Sequence, residues 1–347
     1  MKKIFLIIMR RLHIWHLFIR FLLFIYPRKL LVVFTYHRVV DRLSEREYLL
    51  NYDRGIDRRI LKNQLEIIGR YFRFIDLDEF RSMINGSQKL SGHSSLITFD
   101  DADSEFAEQA FPILDKYGVP AVVFTPTAYV ESDKKFWHVR LSEILDNVTE
   151  ESWEGMAKLE GLPKEVRDFI GASSINSASE KRSTAVTMVN FLDKYPQKEI
   201  EGVLTILEGK IEAKSRTGIK CLTWLQQREL AQKGIEFESH SVNHYKLAEL
   251  SLKEILQEMT DSRKELEKRL GKKITAICYP AGSYNENVLT AASEAGYKLG
   301  FITRPGFCNY PLLGNDRFAL PRFTVVGSNN AEIEEFLGKE LIKALFS

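Results

Sequence analysis

The sequence predicts an α/β protein on a parallel sheet: a (β/α) barrel, irregular or incomplete, interrupted by a largely helical insertion. Three observations predict it. Apolar runs of strand length recur along the chain, several of them apolar throughout, as in a parallel sheet covered on both faces. Helical patterns alternate with these runs, and strand, helix and strand succeed one another within about 30 residues between Ser95 and Thr125. Roughly seven or eight such strands are present, which favours a barrel. An open doubly wound sheet is the alternative. No Gly-x-Gly-x-x-Gly follows the first strand, however, and there is no phosphate-binding loop.

Leu30-Leu31-Val32-Val33-Phe34-Thr35-Tyr36-His37 is the first core strand and carries a histidine at its C-terminal end. Residues 41–56 are polar and read as loop. Ile60, Leu61, Leu65, Ile68 and Phe72 mark a helix, Phe74–Leu77 a short strand, and residues 78–84 a short helix. After the turn signals of Asn85–Gly92 comes the strand Ser95–Phe99, which ends on two adjacent carboxylates, Asp100 and Asp101. A helix over Phe106–Tyr117 stops at Gly118, and Ala121–Thr125 is again a buried strand.

Residues 131–220 change texture. They are polar, lack a strand pattern, and show helical spacing around Val139–Leu145 and Val186–Leu192. At about 90 residues this is an insertion, too long for a connecting loop. Phe136-Trp137-His138 stands at its entrance, either as packing against the core or as a sugar-stacking platform. The alternation then resumes. Helices are expected at 223–233, after Ser251 with a capping box to Glu254, at Glu286–Ala295 and from Ile333 to Leu345. Strands are expected at Ile235–His240, Ile274–Pro280, Lys298–Thr303 and Arg317–Val325.

Of 347 residues, 44% are hydrophobic and 28% charged, as in an ordinary globular protein. Eight bases and no acid lie in residues 1–40, so a net charge of +2 leaves the remainder at −6. An acidic body with a basic, apolar head does not suit a nucleic-acid binder. Cys221, Cys278 and Cys308 have no CxxC spacing and read as free thiols of a reducing compartment. We therefore place the protein in the cytoplasm or at the cytoplasmic face of a membrane.

Residues 1–29 form a separate N-terminal segment ahead of an α/β body over 30–347, which the insertion at about 131–220 interrupts. Its apolar runs are broken by Arg10, Arg11 and Arg20 and fall short of the roughly 20 residues of a spanning helix. No small-residue cleavage site follows, so no removable signal peptide is expected. Residues 1–26 fit a helix lying on a membrane surface. A helix packed on this body or on a partner, and a true anchor, are the other readings. His13 and His16 have no acid or cysteine nearby and read as interfacial side chains.

In a barrel, the C-terminal ends of the strands face one mouth. Those ends are His37, Asp100 with Asp101, His240, Tyr279 to Gly282, and Arg322, depending on register. Taken alone, Asp100-Asp101 is either an Asp-rich turn capping the next helix or a catalytic pair in which one pKa is pushed up by its like-charged neighbour. Likewise His37 alone reads as a structural histidine. His240-Ser241-Val242-Asn243-His244 spaces two imidazoles by four, which a helical turn would put on one face. With Asp101 they make a His-His-Asp metal set with room for water.

These residues carry a resemblance. The chain resembles the polysaccharide deacetylases of carbohydrate esterase family 4 from about residue 30 to 325, the insertion excepted. Thr98-Phe99-Asp100-Asp101 matches the family's first motif, and His240-Ser241-Val242-Asn243-His244 its second. Tyr279-Pro280-Ala281-Gly282-Ser283-Tyr284 is similar to the third. The resemblance implies a divalent metal, commonly Zn²⁺, on Asp101, His240 and His244, with Asp100 as general base. It assigns the oxyanion and substrate side to Tyr279, Pro280 and the backbone N–H of Ala281. Three departures stand out. Ala102 replaces a frequent Gly, Cys278 replaces an Arg that steadies the base, and no late histidine motif supplies the acid. Arg322 is the expected substitute for that Arg. Some members are circularly permuted, with the acid on an N-terminal strand, and Tyr36-His37 fits them, giving His37 as the acid. The implied activity is hydrolysis of an N-acetyl group on a sugar of a bacterial-type polysaccharide or lipid-linked glycan, releasing acetate. An amidase acting on a small non-sugar amide and an inactive glycan-binding protein are the alternatives.

Overall fold

Why residues at the strand ends meet follows from the register of one parallel sheet. The computed structural model describes residues 14–26, 28–41, 55–211, 220–312, 314–325 and 327–346. Its strands are β1 (Leu31–Tyr36), β2 (Val39–Val40), β3 (Ile56–Asp57), β4 (Arg73–Phe74), β5 (Ser94–Phe99), β6 (Ala121–Thr125), β7 (Ile235–Ser239), β8 (Ala276–Cys278), β9 (Leu299–Phe301) and β10 (Phe323–Thr324). The main sheet runs β10-β1-β5-β6-β7-β8-β9, entirely parallel, with β4 pairing the start of β5 below β6. Every residue of β1, β5 and β6 is buried, the signature of strands covered on both faces.

The sheet curls into an incomplete (β/α) barrel. Leu320 bridges Phe301 at the β9 edge, and three residues later Phe323 pairs with Phe34 of β1. The run 320–324 therefore leans on both edges without forming a full ladder between them. A strand over Arg317–Val325 was expected, but only Phe323–Thr324 is one. Residues Gly314–Phe318 form a 3₁₀ turn, and Pro321, which has no N–H to donate, interrupts the rest.

Other boundaries differ for equally local reasons. Asp76 caps the helix Leu77–Ile84 by accepting from Glu79 N at 2.8 Å, which ends β4 early. The helix expected over Phe106–Tyr117 opens with a π turn, Phe106–Ala110, before the α-helix Phe111–Tyr117. Pro112 cannot supply an i→i−4 bond, and the wider turn absorbs the missing donor. Part of the expected loop 41–56 is strand, because β3 pairs with β2; residues 42–54 lie outside the described residues.

Between β6 and the helix Trp224–Gln232, the described residues form the α-helices Trp137–Asn147, Glu150–Met156, Lys164–Ala172, Ala178–Leu192 and Gln197–Glu208. They share their own apolar core, which includes Leu141, Trp153, Met188 and Leu204. Gly171–Ser179 spans the end of one helix and the start of the next. At the N-terminus, the helix Trp15–Ile25 buries Trp15, Ile19, Leu22 and Leu23, and Tyr26 Oη donates to Ala344 O in the final helix, Asn330–Phe346. His16 Nδ1 is hydrogen-bonded to Tyr71 Oη, which donates to Glu334. Residues 1–13, His13 among them, lie outside the described residues. No helix among the described residues is long and apolar enough to cross a membrane.

Candidate active site

β1 and β5 pair in register from Leu31↔Ser94 to Tyr36↔Phe99, so the next residues, His37 and Asp100, emerge side by side. His37 Nε2 lies 3.8 Å from Asp100 Oδ2. Thr125 pairs with Ser239 and Ser239 with Ile277, which brings His240 up at the same level beside Cys278.

The chain turns sharply after Phe99. Asp101 and Ala102 both have left-handed backbones, with φ 69° and φ 50°. This conformation costs a non-Gly residue about 1–2 kcal/mol, a cost that a glycine at 102 would not carry. Three contacts from residues 220–222 hold the turn: Leu222 N donates to Ala102 O, Ser104 N to Lys220 O, and Cys221 Sγ to Asp101 O. The turn sends the two carboxylates in different directions. Neither caps the helix that opens at Phe106, whose N-cap Glu105 makes no side-chain cap; Asp103 accepts from Glu105 N at 2.8 Å within the turn that precedes it.

Asp100 faces Arg322. Nη1 donates to Oδ1 and Nη2 to Oδ2, while Nε donates to Ile302 O and Nη1 also reaches Thr98 Oγ1. Arg322 Nη2 stands 2.9 Å from Cys278 Sγ, so the guanidinium occupies space that a larger residue at 278 would fill. The like-charge effect expected of adjacent aspartates is overturned. Burial alone would raise the Asp100 pKa, but Arg322, with His240 and His37 adding to it, brings it down to about 2.

Asp101 faces the imidazoles. Its Oδ1 is buried, 3.5 Å from His240 Nε2 and 3.3 Å from His244 Nε2, and has no hydrogen-bond partner among the described residues. An orphaned buried carboxylate oxygen between two imidazole nitrogens suits a cation, and the three ligand atoms lie within 4.8 Å of one another. Burial opposes ionisation of Asp101, but His244 and His240 outweigh it and hold the carboxyl well below the usual range. His240 Nδ1 lies 2.8 Å from Cys278 O. A carbonyl only accepts, so Nδ1 carries the proton and Nε2 presents its lone pair to Asp101. Burial, reinforced by His244, lowers the His240 pKa to about 4, which keeps the ring neutral as a ligand should be.

The segment His240–His244 is not the helical turn the spacing suggested. It is a loop with left-handed residues at Ser241 (φ 63°) and His244 (φ 56°), and these bring the second imidazole back over the first, ring centroids 4.9 Å apart. Phe136 packs edge-on against His244 and stacks on Tyr129. A second acid–imidazole–thiol group, Asp100 with His240 and Cys278, is compact enough for a metal. Arg322 already occupies Asp100, and burial drives the Cys278 thiol well above its ordinary pKa, so that group does not suit a cation.

Residues 279–282 bend away from the barrel, with Ala281 at φ 53°. The Tyr279 side chain departs from its expected place at the substrate. It is buried in the core with Val288 and Phe318, so only its main chain is available to the mouth. Pro280 is also buried. Thr98, as a partner of Arg322, was not singled out in the sequence, although it lies within the first motif. Nor was Glu258, a helical acid whose partners are backbone amides.

Comparison with known proteins follows this geometry. The profile of the family described as polysaccharide deacetylase matches residues 87–160 and 182–300, more than half of the chain. YxkH of Bacillus subtilis (strain 168), described as a polysaccharide deacetylase, is 42% identical over 85 residues. That match covers 24% of this chain and 30% of the relative. Among solved structures, the Streptococcus pyogenes deacetylase PplD in complex with acetate superposes with a TM-score of 0.57 at 20% identity, covering 90% of this chain and 99% of that one. IcaB from Ammonifex degensii gives 0.55 at 18% identity, over 89% and 97%. At such identities the structures attest the fold, a sheet curled into an incomplete barrel, while the profile attests descent: the chain belongs to the polysaccharide deacetylase family, hydrolases of amide bonds.

Proposed function

We propose that this protein removes the acetyl group from an N-acetylated sugar of a glycan, using a divalent metal, most simply Zn²⁺, held by Asp101, His240 and His244. One observation carries the reading: the partnerless Asp101 Oδ1 faces two imidazole nitrogens while Asp100 and His37 stand beside it. A divalent cation there supplies Lewis acidity towards the acetyl carbonyl and lowers the pKa of water. Asp100 takes the proton from the attacking water, and Arg322 fixes the orientation of its carboxylate. His37 donates to the leaving amine, and the Ala281 N–H steadies the oxyanion. A cavity of about 580 Å³, lined among others by Tyr129, Lys134, Arg140, Glu201 and Asn243, lies beside the His240–His244 loop. Most of its lining belongs to the helical insertion, and it meets the site only through the residues after His240, Asn243 and Tyr245.

The test is acetate release from a panel of N-acetylated glycans by metal-loaded protein. Activity should vanish in Asp100→Asn and fall sharply in His37→Ala. Release only from a small non-sugar amide would make the protein an amidase. Glycan binding without any release would make it a binding protein.

The N-terminal helix supports a place for this reaction at a lipid surface, at the cytoplasmic face, where three buried cysteines outside any disulfide are at home. Its outer face exposes Leu17 (67%), Phe21 (55%), Phe24 (88%) and Ile25, with Arg20, Arg28 and Lys29 also exposed. An apolar stripe edged by bases suits an anionic interface, and a lipid-linked glycan would be met there. Vesicles containing phosphatidylglycerol should sediment the wild type but not Phe21→Ser/Phe24→Ser. Equal sedimentation of both would refute the lipid role.

A further inference from the structure

The two imidazoles sit on a loop that cannot hold its own shape. Ser241 and His244 are both left-handed, and such residues persist only when their surroundings fix them. Part of that support comes from the end of β6: Thr127 N donates to Ser241 O at 3.1 Å and Ala128 N to Val242 O at 3.0 Å. Within the loop, His244 N donates to Ser241 Oγ at 3.1 Å.

The remaining support comes from behind, from the helix Leu252–Leu270. Glu258 and Ser262, four residues apart and so on one face, both point at the loop and are both buried. Ser262 Oγ lies 2.8 Å from Ser239 Oγ, at the last residue of β7. Glu258 Oε2 accepts from two successive amides, Val242 N at 2.9 Å and Asn243 N at 2.8 Å, and Oε1 accepts from Asn243 Nδ2. Successive N–H groups converging on one oxygen form a nest for an anion, here filled by a side chain of the same protein. Asn243 Oδ1 in turn accepts from Lys134 Nζ at 2.6 Å, which ties the clamp to the start of the insertion.

We propose that Glu258 is a positioning residue for the metal pair. By pinning the amides of Val242 and Asn243, it fixes the path between His240 and His244 and thus the angle at which the second imidazole meets Asp101. Glu258 touches neither ligand nitrogen and acts only through the loop. The inference rests on the metal reading above.

The experiment measures Zn²⁺ affinity of the full-length protein by chelator competition, with kcat and KM read at saturating metal. Glu258→Ala should weaken Zn²⁺ binding by about 10–100-fold, as loss of an outer partner of a metal ligand does, with KM little changed. Glu258→Gln keeps an oxygen for the two amides and should retain most of the affinity. Glu258→Asp is one methylene too short to span the contacts and should lose affinity even if the alanine variant fails to fold. Wild-type affinity in the Ala or Asp variant would overturn the clamp while leaving the metal reading intact. A wild-type protein that binds no Zn²⁺ would overturn the metal reading, and the clamp with it.

Discussion

Arg322 grips Asp100 with both arms of its guanidinium, Nη1 to Oδ1 and Nη2 to Oδ2, each at 2.7 Å. Both side chains are buried, so neither charge is tolerable alone. Arg322→Ala should therefore cost about 3–5 kcal/mol in urea unfolding and lower acetate release by about 100-fold or more. Cys278 Sγ lies 3.7 Å from Asp100 Oδ2, so an arginine placed there can replace the lost charge once position 322 is emptied. The double variant Cys278→Arg/Arg322→Ala should recover part of both losses. If it is no better than Arg322→Ala, the two positions are not interchangeable sources of the charge.

Metal removal gives a second expectation. A ligand that binds only the folded state stabilises it by RT ln(1 + [L]/Kd), so Zn²⁺ at about 100 times its Kd adds about 2.7 kcal/mol. Thermal unfolding after chelation should shift down, and added Zn²⁺ should restore it. In Asp101→Asn the shift should shrink, because an amide oxygen is a weaker ligand than the carboxylate now lying between His240 and His244.

Glu238 of β7, two residues before His240, gives a pH dependence of stability. It is buried and accepts from Thr275 N at 2.8 Å and Ala276 N at 2.7 Å. Burial pushes its pKa up to about 8, against the opposing influence of Lys272. The folded state thus holds this proton more tightly than the unfolded chain. That contribution is complete below the ordinary carboxyl pKa and is lost as pH rises towards 8. Glu238→Gln keeps an acceptor for the two amides without a charge to bury. It should gain about 2–4 kcal/mol on the wild type at pH 8.5 and almost nothing at pH 4.5, by urea unfolding of the metal-free proteins. An equal difference at both values would place the titrating group elsewhere.

The framework and the strand-end residues were legible in the sequence because both are local. Continuous apolar runs announce parallel strands, and the motifs carrying Asp100, Asp101, His240 and His244 are each contiguous. Arg322 was reachable only through the family resemblance, in which an arginine is frequent where Cys278 stands, and its fork on Asp100 depends on a register no run of residues reveals. Glu258 was not reachable, because two of its three partners are the main-chain amides of Val242 and Asn243, which carry no mark of residue type. The direction of the Asp100 pKa failed for the same reason: adjacency in sequence suggested repulsion, whereas the left-handed turn at Asp101 and Ala102 parts the carboxylates and gives each its own cation or imidazoles. The inward Tyr279 ring was hidden because aromatic residues next to a motif look alike whether they line a pocket or fill a core.

Gly338 and Gly202 make a matched pair for the last prediction, since both are helix-interior glycines. On propensity alone either Gly→Ala change should stabilise by about 0.8–1 kcal/mol. A Cβ at Gly202 meets nothing within 4 Å, so Gly202→Ala should realise that gain. A Cβ at Gly338 would enter the ring of Trp15, which is itself buried against the final helix. Overfilling a packed contact costs about 1–3 kcal/mol, enough to reverse the sign. Gly338→Ala should therefore destabilise the protein and loosen the helix Trp15–Ile25, seen as faster hydrogen exchange over residues 15–25 and easier tryptic cleavage after Arg20. The barrel mouth is built from other elements, so deacetylation of a soluble substrate should continue. Slow exchange and a raised Tm in Gly338→Ala would mean that Trp15 yields without strain and that this glycine does not hold the helix in place.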